Sequence, residues 1–161
     1  METATPPRVR RSAQARSAAR LAAVQALYQQ EMEGTPLRAL LHEFHRHRLG
    51  ATIEDVEYAD AEIDFFDDLV VGVDARRAEI DALISSKLAA GWSFERLDKP
   101  MRQILRAGTY ELIARIDVPT KSVISEYVDV AKAFYDKRET GFVNGLLDAA
   151  ATEVRGQAPR A

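Results

Sequence analysis

Apolar residues recur along this chain at alternating spacings of three and four, and almost nowhere at a sustained spacing of two. That period turns one side of a helix toward a core and offers no face to a sheet. Leu21, Val24 and Tyr28 define the first such face, on a helix that starts at about Ser12 or Ser17, both competent N-caps, and ends at Gly34 with Pro36 beyond. Thr35-Pro36 opens a second helix, from about Leu37 to Arg48, with Leu37, Leu40, Leu41 and Phe44 inward and Gly50 as the stop. The longest run spans about 55–90. Ile63, Phe66, Val70, Val73, Ile80, Ile84 and Leu88 predict one long amphipathic helix, interrupted only at Arg77 and bent near Gly72.

Gly91-Trp92 breaks the pattern, and Phe94 and Leu97 make Ser93 to Lys99 a packed connection instead of a free hinge. Asp98-Lys99-Pro100 has the order of a cap followed by an early proline, so a helix begins there, with a stripe of Met101, Ile104, Leu105, Gly108, Leu112 and Ile116. Gly108 on that stripe predicts close approach by another helix. After Asp117-Val118-Pro119, a helix from about Thr120 to Tyr135 buries Val123 or Ile124, Tyr127, Ala131 and Phe134. A turn over Asp136 to Glu139 then leads to a last helix reaching about Val154, with Val143, Leu146, Leu147 and Ala150 inward.

These elements predict an all-α fold, a helical bundle of about six to seven helices in two three-helix subdomains. The expected organisation is a flexible basic arm over residues 1–15, one helical domain over 16–154 with an N-terminal bundle at about 16–90 and a C-terminal bundle at about 91–154, and a disordered tail over 155–161. Composition agrees, with 161 residues, 47% of them hydrophobic, and only 8 glycines and 6 prolines. No cysteine is present, which removes disulfides, thiolate metal sites and a cysteine nucleophile. No stretch approaches the roughly 18 apolar residues of a membrane span, and the first dozen residues lack the apolar core of a secretory signal, so no membrane and a cytoplasmic location are expected.

Net charge is only −3, but its distribution is uneven. Arg8, Arg10, Arg11, Arg16 and Arg20 fall in a stretch from Thr3 to Gln30 that holds no acid, whereas Leu49 to Ala75 holds nine acids and no base. One end of the chain suits phosphate, and such contacts supply salt-dependent affinity without reading sequence. Bases in single strands are read by stacking, for which Phe134 and Phe142, separated by Lys137, Arg138 and Thr140, are the candidates. Spacing alone leaves core packing open for both rings. His42, His45 and His47 show no carboxylate or cysteine that completes a ligand set, and Asp67-Asp68 reads as a solvated face, so no metal and no cofactor are expected. Phosphate loops, nucleophile elbows and zinc-protease pairs are all missing, which argues against an enzyme.

Set in order, Ala15 to Arg20, Ala23 to Tyr28, Trp92 to Leu97, Ile104-Leu105-Arg106, Tyr110-Glu111-Leu112, Asp117-Val118-Pro119, Ala131-Lys132 and above all Phe142-Val143-Asn144-Gly145-Leu146-Leu147-Asp148 resemble the NusB family of bacterial transcription antitermination factors. The resemblance runs from about Arg16 to about Ala151. It implies two three-helix bundles, no catalysis, and a heterodimer with NusE, a small-subunit ribosomal protein. That pair is expected to bind single-stranded boxA RNA of ribosomal RNA leader transcripts and to act on the RNA polymerase elongation complex with other Nus factors. The RNA contacts it implies are Arg16, Arg20, Phe134, Arg138, Gly141 and Phe142, and the NusE contacts are Tyr28 and Met101. The chain departs from the family pattern where Ser17 and Ala18 replace part of an arginine cluster, Met101 a glutamate, Ser125 an asparagine and Gly141 a lysine. A protein-interaction module without RNA contact, and an accessory domain related to RNA methyltransferases, are the alternatives.

Overall fold

The computed structural model describes residues 7–47, 49 and 56–156, with side chains from Ser12 onward except that of Glu57. Among the described residues are seven α-helices, α1 (Pro7–Glu33), α2 (Leu37–His47), α3 (Val56–Ala75), α4 (Arg77–Ser86), α5 (Lys99–Ala114), α6 (Thr120–Lys132) and α7 (Lys137–Arg155), and one 3₁₀ turn at Phe94–Arg96. No strand occurs among the described residues. The chain forms two compact units, Met1–Val70 and Val71–Ala161. The division therefore falls inside α3 instead of near residue 90, and α4 packs with the C-terminal helices.

In the first unit α1 begins at Pro7, earlier than the expected Ser12 or Ser17. Proline fits a first helical position because its φ is preset and its missing N–H would be unsatisfied there anyway, and the Arg, Ala, Gln and Ser residues that follow tolerate a helix. Residues 1–6 of the expected arm lie outside the described residues. The face α1 buries is also not the expected one. Ala15, Ala19, Ala22, Ala23, Ala26 and Leu27 are buried with Val24, whereas Leu21 is half-buried and Tyr28 exposed. Alanines let neighbouring helices approach closely, so the narrow side of α1 is the buried one. Gly34, at φ +68, ends the helix through its N–H to the Gln30 carbonyl at 2.9 Å. Leu40 and Phe44 of α2 are buried as expected, and Phe44 stacks on Phe66 of α3 with centroids 5.5 Å apart. The expected stop at Gly50 is outside the described residues.

In the second unit the single long helix expected over about 55–90 is instead two helices. The helix breaks at Arg76, whose φ of −112° and ψ of 20° separate α3 from α4. Gly72 serves packing instead. A Cβ there would collide with the Tyr110 ring, so its bare Cα makes room for that buried side chain. α5 is central, buried on nearly every side from Met101 to Leu112, and contacts α4, α6 and α7. Its start follows the expectation, with Asp98 accepting from the Met101 N–H at 3.2 Å and Pro100 in the first turn. Gly108 also behaves as expected. A Cβ at Gly108 would lie 3.0 Å from Leu147 Cδ1 and 3.3 Å from Tyr127 Cδ2. Ile116, placed on the α5 stripe by its spacing, is 82% exposed because α5 stops at Ala114.

Burying Arg106 in α5 requires full compensation. Asp81 of α4 pairs with it bidentately, at 2.8 Å from Nε and 2.9 Å from Nη2, Gln103 Oε1 accepts from Nη1 at 3.2 Å, and the Phe94 ring lies 4.9 Å away. The far end of α5 is closed by Arg155, which was expected in a disordered tail. Its guanidinium donates to the carbonyls of Leu112 (2.9 Å), Arg115 (2.9 Å), Val118 (2.7 Å) and Glu111 (3.3 Å) and to Thr120 Oγ1 (3.1 Å). Residues 157–161 of that tail lie outside the described residues.

Candidate nucleic-acid interface

The corner between α6 and α7 is built by early termination of α6. Ala133 caps it, and the N–H groups of Phe134 and Tyr135 both return to the Ala131 carbonyl, at 3.0 and 2.9 Å. Phe134 is thereby carried past the last helical residue and off the buried face, and it is 43% exposed where the spacing predicted burial. α7 restarts from Asp136, whose extended backbone accepts from the Thr140 N–H at 3.2 Å. Val143, Leu146, Leu147 and Ala150 turn inward as expected, which leaves Phe142 38% exposed at the margin. Gly141 and Gly145 both lie on the solvent side with open space where a Cβ would be, so Gly145 has no role in close helix packing.

The first turn of α7 carries two exposed cations, Lys137 and Arg138, neither with a carboxylate partner among the described residues. Asp136 at the cap and Glu139 in the same turn balance these two charges, so what the turn offers an anion is the free donor groups of Lys137 and Arg138 and the unpaired N–H groups of a helix start. Arg138 and Phe142 open onto a concavity of about 480 Å³ whose other walls include Leu88, Trp92, Arg96, Leu97, Met101 and Tyr135. Tyr135 is fixed there by its hydroxyl, which donates to Asp98 Oδ1 at 2.5 Å. Burial, reinforced by that hydrogen bond, holds its phenol above the usual tyrosine range.

The other sites expected from the sequence lie in the first unit. Arg16 and Arg20, one turn apart on α1, both place their guanidinium groups against the ring of Phe65 in α3, at 5.0 and 5.1 Å from its centroid. Arg16 is half-buried, but Arg20 is only 3% exposed and does not stand on an open flank. Tyr28 is 38% exposed and Met32, one turn on, 49%, so α1 carries an apolar ridge in solvent.

The structure thus brings Arg138, Phe142 and Met101 to one concavity, with Gly141 beside them on α7, while Phe134 stands on the turn outside its walls. Met101 is 5% exposed, so only its edge is available to a partner. Trp92, 53% exposed, and Arg96 belong to the same concavity and were not foreseen as functional. Their signal was present in the Gly91-Trp92 break, which reads as punctuation until the fold shows what it faces. The histidines also differ from expectation, because His45 Nε2 lies 2.5 Å from Asp67 Oδ1 and edge-on to Phe66, a pairing made across 22 residues. Among the described residues no group of three or more His, Cys, Asp or Glu side chains is placed to hold a metal, and no helix is long and apolar enough to cross a membrane.

Comparison with known proteins adds to this geometry. The NusB family model matches residues 17–152. The transcription antitermination protein NusB of Sphingopyxis alaskensis is 70% identical over 143 residues, covering 89% of this chain and 96% of that protein. Among solved structures, T. maritima NusB superposes with a TM-score of 0.71 at 32% identity, over 94% of each chain. A crystal structure of the antitermination factors NusB and NusE in complex with dsRNA superposes with a TM-score of 0.72 at 27% identity, over 87% of this chain and 98% of that one. A match of this length, in sequence and in helical architecture together, has one reading: the chain belongs to the NusB family.

Proposed function

We propose that this chain is a transcription antitermination factor that binds boxA RNA of ribosomal RNA leader transcripts together with NusE and promotes processive elongation by RNA polymerase in company with other Nus factors. It acts in the cytoplasm and by binding alone, without cofactor or catalysis. The observation that carries the reading is the α6–α7 corner, where Phe134 and Phe142 stand exposed beside Lys137 and Arg138 at the positive end of α7. Packing does not account for two rings left in water, whereas stacking on unpaired bases would cover them. Family membership supplies the partners, and Tyr28 with Met32 on α1 offers NusE an apolar ridge, with the edge of Met101 as a further contact.

Phosphate contacts on α1 are assigned to Arg16. Arg20 is assigned to the same half of the site but, buried on Phe65, reaches RNA only if that packing opens; otherwise it positions its neighbour. Gly141 brings no charge, and its open face lets a strand pass close to the α7 backbone beside Phe142. Titration of boxA RNA with and without NusE tests the assignment. Phe142→Ala should weaken binding about tenfold with little change in salt dependence, whereas Arg16→Ala and Arg138→Gln should each flatten the salt slope by about 0.7. Unchanged affinity and slope in all three variants would remove the site. NusE binding with no gain in RNA affinity would leave a protein-interaction module.

A further inference from the structure

Trp92 is an indole more than half exposed, on a segment with little freedom to move. Gly91 takes a φ of +87° that favours glycine, the Trp92 N–H returns to the Ala89 carbonyl at 3.0 Å, and Arg102 holds the following turn by donating to the Leu97 carbonyl at 2.9 Å and the Glu95 carbonyl at 2.6 Å. Arg96 lies against the indole, its guanidinium 5.0 Å from the ring, and is tethered by Nη1 to the Gly91 carbonyl at 3.1 Å. It has no carboxylate partner among the described residues, and neither does Arg138 across the concavity. Two exposed aromatics and two guanidiniums without an ion-pair partner therefore frame one recess, which Asp98 and Glu139 also line. Its roughly 480 Å³ falls in the range of sites that hold a small ligand.

We infer that this recess is a base-binding subsite for single-stranded RNA, in which one nucleobase stacks on Trp92 while Arg96 and Arg138 take the phosphates on either side. The inference rests on the RNA-binding reading above and extends the strand's path from Phe142 across to the Gly91–Leu97 segment. Asp98 and Glu139 line the recess as well, with Asp98 already bonded to the Tyr135 hydroxyl and the Met101 N–H, so it is the unbonded donor groups of Arg96 and Arg138, and not net charge, that favour RNA over a protein side chain as the occupant. An apolar side chain would fill the floor but leave those donors unbonded, whereas a nucleotide supplies a flat ring and anionic oxygens together. A preheld ring also loses little conformational freedom when a base settles on it, which favours affinity.

Trp92 is the one tryptophan of the chain, so its emission reports the subsite directly. The experiment titrates the full chain with a boxA RNA oligonucleotide, with NusE alone, and with both, following tryptophan emission (against a NusE control if NusE contains tryptophan) and affinity. RNA should quench Trp92, Trp92→Ala should weaken RNA binding about tenfold while Trp92→Phe restores most of it, and Arg96→Gln should lower the salt slope by about 0.7. Melting curves for each variant establish that the fold is retained. If RNA binds in a Phe142-dependent way while Trp92 emission and the Trp92→Ala affinity stay unchanged, the subsite is wrong and the RNA-binding reading stands. If Trp92 responds to NusE alone, the recess is a protein docking site and the inference is overturned. If no RNA binds in any mixture, both fall.

Discussion

Arg155 closes the C-terminal end of α5, and its removal gives a sharp test of how the second unit is held. A helix leaves its last four carbonyls without internal partners. Here the Leu112 and Val118 carbonyls, together with those of Glu111 and Arg115, which already accept the Arg115 and Val118 N–H groups, converge on one guanidinium, with four of its five contacts between 2.7 and 3.1 Å. The cation also sits at the negative end of the α5 dipole. Each such bond contributes on the order of 1 kcal/mol net when its donor is charged and its acceptor sheltered. The residue is half-buried, so water recovers part of the loss, and Arg155→Ala should cost about 2–4 kcal/mol in all.

For a chain of this length about 1 kcal/mol moves the melting temperature by roughly 2–4 °C, so the variant should melt about 4–16 °C lower. Arg155→Lys keeps the charge but replaces a planar fork with a point donor, and should recover about half of the difference. Thermal unfolding followed by circular dichroism reads both. A shift under about 2 °C for Arg155→Ala would mean that water serves these carbonyls as well as the guanidinium does. A lysine variant equal to the natural protein would mean that charge alone matters and the five-contact geometry does not.

Two further outcomes follow from the packing. Gly72→Ala gains roughly 1 kcal/mol of helix propensity but must displace the buried Tyr110 ring, at about 1–3 kcal/mol. Urea melts should therefore show no gain or a net loss, and a variant stabilised by the full propensity term would contradict the close approach. Tyr135→Phe probes the phenol held by Asp98. Because the folded group keeps its proton above the unfolded value of about 10, its contribution is complete below that pH and is lost as pH rises further. The stability difference between the natural protein and the variant should be flat from neutral pH to about 9 and narrow above 10. A difference that widens there would reverse the assignment.

Much of the fold was legible because its signals are local. Asp98 before Lys99-Pro100 announces a helix start through cap chemistry, and Gly108 on an otherwise bulky stripe announces a close neighbour, which proved to be Leu147. The misreadings share another cause. α1 is so rich in alanine that several of its faces are equally apolar, and reading by the largest residues selected Leu21 and Tyr28 over the alanine side that is buried. Periodicity was extended past real helix ends, which put Ile116 and Phe134 inside. Gly72 and Gly145 look alike in sequence. Only the partner facing each, Tyr110 in one case and open space in the other, separates them. The same limit hid the His45–Asp67 contact, the Arg106–Asp81 pair and the recess at Trp92, all made by residues distant in the chain.

Asp98 has a consequence beyond starting a helix. Its Oδ1 accepts both the Met101 amide at 3.2 Å and the Tyr135 hydroxyl at 2.5 Å, so a single oxygen atom ties the first turn of α5 to a turn 37 residues away. A disturbance of Tyr135 must therefore be felt at the Met101 amide, whose exchange with solvent deuterium becomes a sensor for events at the α6–α7 corner. An occupant that seats Tyr135 more firmly slows that exchange, and one that pries it away releases the turn, so a single backbone proton converts recognition at a distance into a measurable rate.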